Sequence, residues 1–180
     1  MNIDTSDFNK LKKLVTDVTT FLNLLEGQNA IKLEFPTAKR YAFTQLFGEN
    51  PAIYKPLGFK GHFGVDIGAP YGTEILACDD GIVSRSGHTS GNGNYIEIRH
   101  TWGYSIYLHL KFPSTFNTND QVRRKDRIGL VGNSGYVIPK PSVSNPLAGT
   151  HLHFSIKIDG IKNTEYKDWV DPMPFFIASK

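Results

Sequence analysis

Seventeen glycines and ten prolines interrupt this chain so often that it is cut into short pieces, which favours a β-rich architecture. Between the breaks lie apolar or alternating runs at 45–48, 64–68, 74–77, 81–85, 95–99, 104–110, 128–132 and 151–158. Each reads as a strand. Several strands at close spacing, with no helical period between them, predict a sandwich or rolled sheet. The exception is residues 5–25. There Phe8, Leu11, Leu14, Val18, Phe21 and Leu25 recur every three or four positions and predict an amphipathic helix. Thr5 or Ser6 can cap its start and Gly27 can stop it. The helix either packs on its own domain, the simpler reading, or is the stub of a helical linker or oligomerisation segment. Residues 1–41 are therefore expected to be an N-terminal helix and connector, and 42–180 the main domain, closed by a turn at 171–176.

Composition narrows the function classes. Twelve Phe, eight Tyr and two Trp supply core material, which argues against disorder. Twenty basic against 17 acidic residues leave a formal charge of +3, too small and too scattered for nucleic-acid binding. It suits, mildly, an anionic polymer surface. No apolar run is long enough to span a bilayer. The N-terminal MNIDTSDFNKLKK has no apolar core behind its charges, so no secretory signal is visible. The single cysteine, Cys78, excludes an intramolecular disulfide and a cysteine-based zinc ribbon, and is expected to be a small buried hydrophobe. A metal, if held, must be held by histidines and carboxylates.

Six histidines stand in different settings. In Gly61-His62-Phe63-Gly64-Val65-Asp66 the glycines make the segment a bent entry into a strand, and a bend can fold His62 and Asp66 toward one point. Imidazole and carboxylate are both zinc ligands, although the same pair can be a solvated turn. In Thr150-His151-Leu152-His153-Phe154, strand alternation puts His151 and His153 on one face and Leu152 and Phe154 on the other. Their spacing of roughly 7 Å along the strand suits one ligand and one neighbour, or simply a polar strand face. His109 ends the strand containing Tyr107-Leu108-His109-Leu110, where a lone histidine is ordinarily structural. Together the segments fit an open three-ligand metal site with flanking acid–base groups. His88, in a Ser-Gly loop, and His100, at a strand end, are expected to be solvated.

These motifs resemble the lysostaphin-like (LytM-type) zinc endopeptidases, which cut peptide cross-links in bacterial peptidoglycan. The family pattern of H-x-x-x-D, then Tyr-x-His-Leu, then H-x-H occurs in order at His62/Asp66, Tyr107/His109 and His151/His153. Gly64-Val65-Asp66-Ile67-Gly68-Ala69-Pro70, Gly72-Thr73 and Asp80-Gly81-Ile82-Val83 resemble its early signature. Ile128-Gly129-Leu130-Val131-Gly132-Asn133-Ser134-Gly135 and Val170-Asp171-Pro172 resemble its later ones, so that the likeness covers roughly residues 42–177. It implies a mostly β fold, the duplicated hybrid motif, whose antiparallel sheets form a narrow groove. It implies that His62, Asp66 and His153 bind zinc and that His109 and His151 serve catalysis. His109 is the candidate general base and His151 the group that stabilises the oxyanion and orients water, with the two roles exchangeable.

The implied partner is a peptidoglycan stem or cross-bridge peptide, attacked by a monomer at the cell wall. A lytic domain without a visible signal fits a phage-borne module or a fragment of a larger exported protein. The rival reading is a catalytically inactive LytM-type module that binds the wall or activates an amidase; such modules have lost zinc ligands, whereas all three positions are filled here. Two departures stand out. Tyr136 to Gly149 forms a long proline-rich link before the H-x-H segment, expected either to border the groove and alter substrate choice or to be a surface excursion. Lys125 stands where relatives often carry glycine.

Overall fold

The computed structural model describes residues 31–178 together with Leu11 and Val15. The chain divides into two units, Met1–Lys32 and Leu33–Lys180. In the first, Leu11 and Val15 are helical and exposed, and the remainder of the helix expected over 5–25 lies outside the described residues.

The second unit is mostly β, with antiparallel pairing between its strands. Its strands are β1 (Phe43–Gln45), β2 (Val65–Ile67), β3 (Glu74–Leu76), β4 (Gly81–Thr89), β5 (Gly93–His100), β6 (Gly103–Leu110), β7 (Gln121–Val122), β8 (Arg127–Leu130), β9 (Leu152–Ile158) and β10 (Trp169–Val170). The main sheet runs β1-β2-β9-β6-β5-β4-β7, with β10 also paired to β9, while β3 and β8 form a separate two-stranded sheet. A one-turn helix, α1 (Pro51–Tyr54), follows β1.

Strand alternation builds the core. Along β9, Leu152, Phe154, Ile156 and Ile158 are buried on one face, where Phe154 meets Tyr107 of β6 and Phe176 from the C-terminal turn, with ring centroids 5.2 and 5.7 Å away. Burying a side chain such as Phe154 contributes roughly 1.5–3 kcal/mol. The opposite face of β9 carries His153, which lies directly across from Asp66 on β2 and Leu108 on β6. Directly opposed residues hold their Cβ atoms only about 4.5–5.5 Å apart. Register alone therefore brings an aspartate 87 residues away in sequence against His153.

The strand expectations hold with shifted edges. β1 ends at Gln45 instead of beginning there, because Leu46 N donates to Glu49 Oε2 and the chain turns at Gly48, with φ 84°. β4 runs on to Thr89 and forms a hairpin with β5. The two-residue strands β7 and β10 are too short to leave a sequence pattern.

Candidate active site

His62 Nε2, Asp66 Oδ1 and His153 Nδ1 converge on one buried point. The two nitrogens are 2.9 Å apart, and Asp66 Oδ1 lies 2.9 Å from His153 Nδ1 and 3.2 Å from His62 Nε2. Among the described residues, these three form the group of side chains placed to share an ion. A tetrahedral zinc site with bonds near 2.1 Å separates its ligand atoms by roughly 3.4 Å, so the cluster is within a few tenths of an ångström of that geometry.

The donor set fits a cation. His62 Nδ1 lies 3.1 Å from the Leu46 carbonyl oxygen, which can only accept, so Nδ1 carries the proton and Nε2 presents a lone pair. Asp66 Oδ1 is also an acceptor. Only His153 Nδ1 can place a proton among the three atoms. It can give that proton up without losing a partner at Nε2, because Ser155 Oγ, 2.7 Å from Nε2, can donate or accept. Burial alone would raise the Asp66 carboxyl, but the hydrogen bond from His153 Nδ1 outweighs it and holds the carboxyl well below the usual carboxylate range. Burial pushes the His153 imidazole down to about 4 against the pull of Asp66. A charged carboxylate and neutral imidazoles are the forms that ligate a metal.

Local structure explains how each side chain is held. His62 sits in the bent entry to β2, where its backbone N–H donates to Glu49 O and its carbonyl accepts from Gly48 N. Gly64 lets this segment lie against β9: a Cβ there would overlap Ser155 Oγ and come within 2.9 Å of His153 Nε2. Partners that fix the tautomer of a ligating histidine from behind tune its orientation and basicity.

The other two histidines flank this point. His151 Nδ1 donates to Gly149 O at 2.8 Å, which leaves Nε2 facing Asp66 Oδ1 at 3.6 Å. His109 Nδ1 donates to Ser134 O at 2.8 Å, and its ring centroid lies 4.8 Å from that of His151 and 6.3 Å from that of His153. Burial, reinforced by His151 and His153, pushes His109 down to about 3 and keeps it neutral. Simple alternation from Tyr107 would turn His109 toward the core. The β5–β6 pairing slips between Asn94 and Ile96, and His109 takes a left-handed φ of 64°. This bulge turns the imidazole onto the site face beside Leu108.

Asp66, His109, His151 and His153 border a cleft of about 1220 Å³, and His62 is fully buried. One wall comes from Ile53, Tyr54 and Leu57 and the other from Tyr136, Ile138 and Leu147 of the proline-rich link. That link therefore lines the cleft. His88 is exposed on β4 and does not line it. His100 corrects the expectation of a solvated residue: it ends β5 but is buried, held by Asp80 O at 2.7 Å and Ser105 Oγ at 2.7 Å, and stacked on Trp102. Cys78 is buried as expected. The supporting groups were not identified from sequence. Leu46 O, Gly149 O and Ser134 O are backbone atoms without a residue signature, although Ser155 shares His153's strand face by its spacing of two.

Residues 60–168 match the family described as Peptidase family M23. The chain is 36% identical over 129 residues to an "Uncharacterized metalloprotease" of Buchnera aphidicola subsp. Baizongia pistaciae, covering 70% of this chain and 31% of that protein. It is 38% identical over 115 residues to the peptidoglycan DD-endopeptidase ShyC of Vibrio cholerae, covering 62% and 24% respectively. It thus spans about a third or less of the length of these relatives. A crystal structure of a zinc-containing peptidase from Vibrio cholerae superposes with a TM-score of 0.60 at 26% identity, over 79% of this chain and 39% of that one. With the family match extending over more than half of its residues, this chain belongs to peptidase family M23.

Proposed function

We propose that this chain is a zinc-dependent endopeptidase that hydrolyses peptide cross-links of bacterial peptidoglycan. The observation that carries the reading is the convergence of His62 Nε2, Asp66 Oδ1 and His153 Nδ1, acceptor atoms that face one another with at most one proton among them. In this reading these residues hold zinc, residues 42–180 carry the peptidase and 1–41 lead into it. Bound zinc supplies a Lewis acid for the peptide carbonyl and lowers the pKa of a bound water toward 7.

The protein's own residues do the rest. His109, kept neutral by burial and with Nδ1 committed to Ser134 O, has only Nε2 free to take a proton. It is the general base for the attacking water and then the acid for the leaving amine. His151, with Nδ1 tied to Gly149 O, presents Nε2 beside Asp66, where it accepts from the attacking water and orients it; it steadies charge on the carbonyl oxygen only once Nε2 has itself taken a proton. The filled donor set disfavours the inactive wall-binding or amidase-activating alternative. The enzyme acts as a monomer at the cell wall, reached with a phage particle or within a larger exported chain. Similarity to a DD-endopeptidase supports a D-amino-acid cross-link as the bond cut.

The test is loss of turbidity of purified walls together with mass spectrometry of the released peptides. Zinc-loaded protein is expected to release fragments with new amine ends, a chelator to stop release and added zinc to restore it. His153→Ala is expected to lose zinc and turnover. His109→Ala is expected to keep zinc while turnover falls by about 10²–10⁴-fold. Stoichiometric zinc without fragment release overturns the proposed activity, and a His109→Ala protein that no longer binds zinc overturns the division of roles.

A further inference from the structure

We propose that the Ser134 hydroxyl is a positioning residue: bridging β5 and β6, it holds the bulge that aims His109. Ser134 Oγ accepts from Asn94 N at 2.9 Å and donates to Leu110 O at 2.7 Å. Asn94 and Leu110 are partners in the β5–β6 register, at the edge of the slip that contains His109. The carbonyl of the same residue receives His109 Nδ1–H at 2.8 Å. One residue therefore grips the flank of the bulge with its side chain and the imidazole with its backbone.

The seating is close and specific. A Cβ at Gly93 would overlap the Ser134 carbonyl and hydroxyl, and a Cβ at Gly135 would overlap Gly93. Both glycines have positive φ, 64° and 81°, so the approach depends on residues without side chains. The other local ties on the bulge are the His109 N–H bond to Asn92 O, at 3.0 Å, and the bond from Asn94 Nδ2 to Leu110 O, at 3.1 Å. A non-glycine residue at φ 64° is strained and needs surroundings that over-determine it. A carbonyl is present whatever residue stands at 134. The hydroxyl is the part that ties this carbonyl to the ladder. Without it the Ser134 peptide loses both cross-strand bonds, and His109 is freed to regain ordinary strand geometry, which turns its ring toward the Tyr107 face.

The inference rests on His109 being the proton-transfer group, so the experiment pairs turnover with a readout that does not need it. Ser134→Ala and Ser134→Thr are compared with wild type, all zinc-loaded, for zinc content, thermal melt, kcat and KM on a muropeptide dimer purified from a muramidase digest of walls. The hydrogen-bonded His109 Nδ1–H is followed by NMR in histidine-labelled protein. Ser134→Ala is expected to keep zinc and a cooperative melt and to lose kcat on the order of 10²-fold with KM little changed, while its Nδ1–H signal disappears. Ser134→Thr, which keeps the hydroxyl, is expected to restore both. Wild-type kcat and signal in Ser134→Ala overturn the proposal, as does loss of its cooperative melt, since the hydroxyl then holds the domain and not the aim of one side chain. If wild type cleaves no wall peptide, the endopeptidase reading fails by itself, and the signal alone decides Ser134: its survival in Ser134→Ala overturns the proposal and its loss supports it.

Discussion

His153 is held between two demands. Its Nδ1 must face Asp66 and His62, and its Nε2 must have a partner that tolerates either tautomer, which Ser155 supplies at 2.7 Å. Gly64 is what leaves room for that partner, because an added Cβ would overlap both Ser155 Oγ and the Phe154 carbonyl oxygen and push β2 off β9 beside His153. Gly64→Ala is therefore expected to weaken zinc binding by about 10–100-fold, the scale seen when groups behind a ligand are disturbed, measured by competition with a chromogenic chelator. Unchanged affinity would show that Ser155 does not set the ligand's orientation. The residue types of the cluster were legible from sequence because the three segments occur together and in order; each alone has an ordinary structural reading. The atoms that orient them were not, since a carbonyl oxygen looks the same under every side chain. Lys125 adopts φ 71°, a backbone conformation that favours glycine, and its ammonium pairs with Glu34 at 3.2 Å.

At the scale of elements, the cleft is built from irregular pieces mounted on regular ones. β2, β6 and β9 hold Asp66, Leu108 and His153 in one cross-strand row, whereas α1 and the proline-rich link form the walls. Tyr136, Ile138 and Leu147 of that link are exposed large apolar residues facing the cleft, at 64, 59 and 53%. Such a wall selects among peptides by shape and apolar contact. Replacing residues 139–146 with a short glycine linker is expected to preserve zinc content and to change the ratio of rates on cross-bridges of different composition, read by mass spectrometry. Equal ratios on every peptide tested would make the link a passive excursion. The existence of the long strands and of a proline-rich link between them was readable from glycine and proline placement. The bulge in β6 was not, because the run containing Tyr107-Leu108-His109-Leu110 reads as regular alternation.

Across the whole second unit, turns far apart in sequence are tied at Asp79. This residue, between β3 and β4, accepts from Trp102 Nε1 at 2.9 Å in the β5–β6 turn and from Arg124 Nη2 at 2.7 Å between β7 and β8. Burial alone would raise its carboxyl, but the hydrogen bonds from Arg124 and Trp102 hold it below the usual carboxylate range. A group whose pKa is lower in the folded than in the unfolded chain adds stability above its unfolded value, near 3.9, and loses it as pH falls through the folded value. The pair is partly solvated, so the contribution is about 1 kcal/mol or less. Urea unfolding is expected to show Asp79→Asn less stable than wild type at pH 7, with the gap narrowing below about pH 4. A gap that stays constant down to pH 3 would show that charge on Asp79 is not what ties these turns.

By itself the sequence determined the β architecture and the kinds of side chain available for chemistry. Glycine and proline set where the chain can run straight, and alternation sets which side chains share a face. It also carried the family, through motifs that depend on residue identity at fixed spacing. The tertiary structure alone decided the point where those side chains meet. Register between strands far apart in sequence brings Asp66 against His153, and a bulge that no side-chain pattern encodes turns His109 onto the same face. Both are consequences of long-range backbone hydrogen bonding, whose donors and acceptors are nearly identical at every residue and leave no mark in the order of amino acids.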